Sequence, residues 1–142
     1  MMKKTTLTKL MTIFCLLFLA AAVVSSVLFV RAKSDYDSSW DDYVGLEKES
    51  TEAGEELEEA RREYTRAQLW NPYDTKKQKS SVESHEILEQ IAKNEALSYW
   101  RSVVVPNEKR KNTFKYCLIA FCSLTAITLT IRIIASKNAE KQ

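Results

Sequence analysis

The chain is 142 residues long, 45% hydrophobic and 28% charged, and its 21 basic and 19 acidic side chains leave a formal net charge of +2. Two glycines cannot build the Gly-rich loop of a P-loop or dinucleotide site, and one histidine cannot supply the paired histidines of a zinc protease or di-iron bundle. No catalytic residue, metal or cofactor is therefore expected, and the near-balanced charge gives no reason to expect a nucleic-acid partner.

The averages hide a segregated pattern. Residues 1–9 form a basic flank containing Lys3, Lys4 and Lys9. Residues 10–30 carry no charge, glycine or proline, which predicts a first transmembrane helix, because ~20 apolar residues at ~1.5 Å each cross ~30 Å of hydrocarbon. Ala20, Ala21 and Ala22 have the small side chains of a secretory cleavage site, yet the apolar run continues to Val30, about 21 residues against the ~7–15 of a cleaved signal. The segment reads as an uncleaved signal anchor.

Residues 31–115 read as a helical hairpin with arms at about 34–70 and 75–105 and a turn at 71–74. In the first arm Tyr36, Tyr43, Ser50, Leu57 and Tyr64 recur every seven residues, as do Ser39, Leu46, Ala53, Ala60 and Ala67. This spacing predicts a coiled-coil-like seam whose small side chains admit a close partner helix. Ser34, Ser38 and Ser39, each followed by aspartates, are expected N-caps, and Trp70-Asn71-Pro72 is an expected stop.

The second arm is expected to begin at Asp74, or at the capping box Ser80-Ser81-Val82-Glu83, and to end before Pro106. Its predicted apolar stripe is Val82, His85, Leu88, Ala92, Ala96, Tyr99 and Val103. Folding back at Asn71-Pro72 sets Leu57 against Leu88, Ala53 against Ala92, Leu46 against Tyr99 and Ala60 against His85, and brings Trp40 near Trp100. The expected hairpin interface is therefore Tyr43, Leu46, Ala53, Leu57, Ala60, Tyr64, His85, Leu88, Ala92 and Tyr99. Charge favours the same pairing: residues 34–74 carry 13 acidic and 4 basic side chains, residues 75–113 carry 5 and 8. Exposed ion pairs are worth only ~0–1 kcal/mol each, so charge selects the partner arm more than it stabilises the pair.

Residues 116–134 predict a second transmembrane helix, uncharged until Arg132, and residues 135–142 a short polar tail. Cys15, Cys117 and Cys122 all fall in the apolar runs, so no disulfide framework is expected. Ala22 and Ser26 in the first span, and Cys122, Ala126 and Thr130 in the second, have the small-xxx-small spacing of close helix packing.

The expected fold class is thus an all-α membrane protein, two transmembrane helices bracketing a long antiparallel hairpin. The expected function is a non-enzymatic two-pass scaffold or accessory subunit, with the lipid bilayer and either a second copy or another membrane protein as partners. A membrane sensor with a helical ectodomain is the alternative, and a small membrane-permeabilising protein a lesser one. Dominance of the first helix in topology, and the readiness of long loops to translocate, predict both termini cytoplasmic and the hairpin outside; the expected membrane is the plasma membrane, the inner one if the chain is bacterial.

Overall fold

A computed structural model describes residues 4–73 and 75–140. Lys3 of the basic flank, Asp74 of the turn and Lys141 of the tail lie outside the described residues. Those described are almost entirely helical and include no strand: α1 spans Lys4–Trp70, α2 spans Lys76–Tyr99, a π-helical turn covers Trp100–Val104, and α3 spans Val105–Glu140. Composition explains the monotony. Gly45 and Gly54 are the only glycines, and the two prolines sit at Pro72 in the turn and at Pro106 in the first turn of α3, where a missing N–H costs least.

Two expected boundaries are absent. The first apolar run and the first hairpin arm are one uninterrupted helix, so Ser34, Ser38 and Ser39 cap nothing. The Ser39 hydroxyl instead donates to the Tyr36 carbonyl at 2.8 Å, from a buried position. Because α1 is already helical before residue 34, the backbone N–H groups that a cap would satisfy are bonded within the helix. The box at Ser80–Glu83 likewise lies inside α2, which starts at Lys76. Ser84 donates to the Ser80 carbonyl at 2.9 Å.

The helix also does not stop before Pro106. The N–H of Val105 bonds the Trp100 carbonyl, one residue further back than in an α-helix, and α3 then begins with Pro106 as its second residue. The π turn accommodates one extra residue and lets the proline ring sit where the ladder has already been broken. The turn at the other end behaves as expected: α1 ends at Trp70, before Asn71-Pro72, and the Asn71 N–H closes the last turn on the Ala67 carbonyl at 2.8 Å.

The chain divides into two compact units. The described residues of Met1–Asp35 and Glu108–Gln142 form one, and Tyr36–Asn107 the other. The first contains the two apolar runs. The helical stretches Thr8–Trp70 and Lys76–Lys137 are each long and apolar enough to cross a membrane, and only 11% of each most apolar window is buried within the chain.

Candidate functional site: the hairpin seam and the helix faces around it

Within the second unit, the ten seven-residue-spaced positions of α1 from Tyr36 to Ala67 are all buried or half-buried, and in that stretch only Gly54 shares this property. Leu57 is 3% exposed and Ala60 is buried; Tyr43, Leu46, Ala53 and Tyr64 are half-buried. The same alternation of three- and four-residue steps runs back through Ala32, Phe29, Ser25, Ala22, Phe18 and Cys15, all buried or half-buried, so α1 keeps one heptad phase from Cys15 to Ala67.

On α2, His85, Ala92 and Tyr99 are half-buried and Ala96 is buried. Leu88, expected against Leu57, is not in the seam: it is 54% exposed. The three- and four-residue steps linking Val82, His85, Ala92, Ala96, Tyr99 and Val103 pass through position 89, so helix phase assigns the place to Glu89 and turns Leu88 ~100° away. A carboxylate is tolerated there for two reasons. Gly54 lies opposite, where an added Cβ would meet Glu89 Oε1 at 3.5 Å, and Lys93 Nζ reaches the same oxygen at 2.6 Å.

Few polar contacts cross the seam. Arg61 Nη2 donates to Glu86 Oε1 at 2.9 Å, and this hydrogen bond, ahead of the surrounding carboxylate charges, raises the guanidinium pKa. Near the base the Tyr99 hydroxyl donates to Asp42 Oδ2 at 3.0 Å. Desolvation and then the Asp42 hydrogen bond hold this phenol above the ordinary tyrosine value. Arg61 also pairs with Glu58 within α1 at 3.6 Å, and Lys48 with Glu52, Lys79 with Glu83 and Lys93 with Glu89 are likewise pairs within one helix.

An aromatic cluster closes the base. Trp40 and Trp100 meet edge to face with ring centroids 5.6 Å apart, the pairing expected from the fold-back at Asn71-Pro72. Tyr43 lies 4.9 Å from Trp100 and 5.8 Å from Trp40, and Tyr36 stacks on Trp40 at 6.2 Å. Each such pair adds ~0.5–1.5 kcal/mol beyond the area it buries. The sequence places Tyr36 and Tyr43 on the seam and pairs the two tryptophans, but does not join the four rings into one cluster. Tyr36 and Tyr43 sit on the Trp40 face of α1 at helical spacing, which is the signal that was available.

The apolar unit shows a second departure. Ala22 and Ser26 are half-buried, and the Ser26 hydroxyl donates to the Ala22 carbonyl at 2.8 Å. Cys122, Ala126 and Thr130 are exposed instead of packed. The inward face of α3 runs through Asn107, Lys111, Phe114, Leu118, Phe121, Thr125 and Thr128. Heptad steps continued from Val103 would give Pro106, Arg110, Thr113, Cys117 and so on, each one residue earlier. The extra residue of the π turn therefore advances the buried face by one position, and Thr125 and Thr128 become its buried polar residues. Their hydroxyls donate to the Phe121 and Leu124 carbonyls, which lets them pack without an unsatisfied donor.

The described residues offer little chemistry. No group of three His, Cys, Asp or Glu side chains among them is arranged to hold a metal ion. His85 Nδ1 donates to the Ser81 carbonyl at 2.8 Å, a local helix contact. What the chain does present is a helix pair with a closed seam, an apolar patch of Ile87, Leu88 and Ile91 on the outward side of α2, and two apolar runs with outward-facing aliphatics. Comparison of the chain with known protein families, with curated proteins and with solved structures finds no match.

Proposed function

We propose that the chain is a two-pass integral membrane protein whose hairpin is a non-enzymatic docking element, pairing with a second copy or with helices of another membrane protein. The observation that carries this reading is a patch on the outer side of α2, where Ile87, Leu88 and Ile91, within five residues of one another, are 60%, 54% and 56% exposed. Contiguous exposed aliphatics on a polar surface mark interaction sites. The opposite choice was open to the sequence. The outer face of α1 is built from charged residues such as Lys48, Glu55, Glu59, Arg62 and Arg66.

Magnitudes say where such docking works. Burying the exposed parts of three aliphatics gains a few kcal/mol at ~25 cal/mol per Å², whereas free association costs ~4–15 kcal/mol in lost translation and rotation. Confinement by two spans offsets that cost by raising the effective concentration. The membrane assignment draws support from the apolar runs, whose Leu16, Val23, Val27 and Ile127 all point outward. The proposed placement is the plasma membrane, the inner one if the chain is bacterial, with both termini cytoplasmic and the hairpin outside.

The test joins topology to assembly. A protease site or reactive cysteine placed near Asn71 should be accessible from outside intact cells while tags at both termini are protected, and Leu88→Cys in membranes should crosslink to a second copy or a defined partner. Extraction of the chain by alkaline carbonate, or a Leu88→Cys chain that crosslinks to nothing, would sink the reading.

A further inference from the structure

In the unit formed by the apolar runs, a cleft of about 300 Å³ is lined by Leu28, Arg31, Ala32, Asp35, Arg110 and Phe114. We infer that this cleft binds the phosphodiester headgroup of an anionic phospholipid, with Arg31 and Arg110 on the phosphate and Leu28 and Phe114 along the first carbons of the acyl chains. The inference rests on the membrane reading above.

The layout of the cleft carries it. Arg31 lies one turn beyond Leu28, on the side away from the first apolar run, and Arg110 one turn before Phe114, on the side away from the second. Both helices thus change from apolar to cationic in the same direction across one cavity, which is the polarity profile of a lipid at the hydrocarbon boundary. Guanidinium groups suit the ligand, since their planar donor forks engage two phosphate oxygens at once and are less strongly hydrated than an ammonium. Charge suits the class: two guanidiniums against one carboxylate give the lining a cationic excess, which favours a phosphodiester whose headgroup is otherwise neutral. A choline headgroup would bring its own cation against the arginines. Ala32 is buried and small at the floor, so the cavity is not filled from within.

The experiment uses the full chain in neutral detergent, with lipid retention read by native mass spectrometry against phosphatidylglycerol, phosphatidylcholine and inorganic phosphate. The wild type should retain phosphatidylglycerol at least tenfold more strongly than phosphatidylcholine, and millimolar phosphate should not displace it. The double variant Arg31→Gln/Arg110→Gln should lose at least tenfold. A charge-matched control, Lys109→Gln/Lys115→Gln, removes two cations outside the cleft and should stay within threefold, with helical circular dichroism unchanged in both. Equal loss in the control, no loss in the arginine variant, or competition by phosphate as strong as by lipid would each overturn the cleft. Wild-type chain that stays in carbonate-washed membranes but retains no phosphatidylglycerol overturns the cleft alone, whereas chain that washes out overturns the membrane reading with it.

Discussion

At the scale of single residues, one register decides which side chains matter. Leu57 and Leu88 have the same chemistry and nearly opposite surroundings, 3% against 54% exposed. Leu57→Ala should destabilise the chain by about 2–5 kcal/mol, as large-to-small changes in packed sites do, while Leu88→Ala should stay within about 0.5 kcal/mol. Chemical denaturation in detergent, followed by circular dichroism, separates the two, and equal effects would mean that the phase of α2 is wrong. Tyr99 gives a pH test. Its folded pKa lies above its unfolded value, so the folded state holds the proton more tightly. The resulting stability is complete below the ordinary tyrosine value and is lost as pH rises through the folded one. Alkaline melting curves should therefore fall more steeply for the wild type than for Tyr99→Phe, and parallel curves would show that burial beside Asp42 does not hold the Tyr99 proton.

At the scale of elements, the chain's helicity and the inward face of α1 were legible, because spacing of seven is a property of residue order alone. Three features were not. At the α2 seam Leu88 has the hydrophobicity but Glu89 has the phase, and the carboxylate fits only because Gly54 faces it and Lys93 pairs with it. The serines at 34, 38, 39 and 80 have capping chemistry, but a cap needs a helix end, and none exists there. The packed face of α3 is not legible in residue spacing because it depends on one extra residue in the π turn, for which Pro106 is the sole local mark. The last point can be tested. Deleting Ser102, an exposed residue of that turn, should restore α-helical bonding and move the buried face back by one position. A cysteine at the half-buried Phe114, just outside the second apolar run, should then react faster with maleimide, and one at the exposed Thr113 more slowly. Unchanged rates would show that the π turn does not set the face.

At the scale of the whole molecule, the unequal charge of the two hairpin arms invites an electrostatic account of stability that the contacts do not support. Among the described residues Arg61 with Glu86 is the ion pair that joins α1 to α2, and both side chains are about half exposed. Raising salt from 0.05 to 0.5 M contracts the screening length from about 14 to about 4 Å, which weakens that pair but also weakens repulsion along the acidic arm. The melting temperature should hold or rise slightly, and a fall of more than a few degrees would show that inter-arm attraction stabilises the hairpin.

The aromatic cluster at the hairpin base has a further use as an optical reporter. Of the three tryptophans, Trp40 and Trp100 are within contact of each other, while Trp70, at the end of α1, is 89% exposed. With Trp70 replaced by Phe, all remaining indole emission arises from the base. Coupled indoles at this separation should give a paired near-ultraviolet circular dichroism band that vanishes when the arms part. Opening of the hairpin could then be followed in a bilayer without any attached dye.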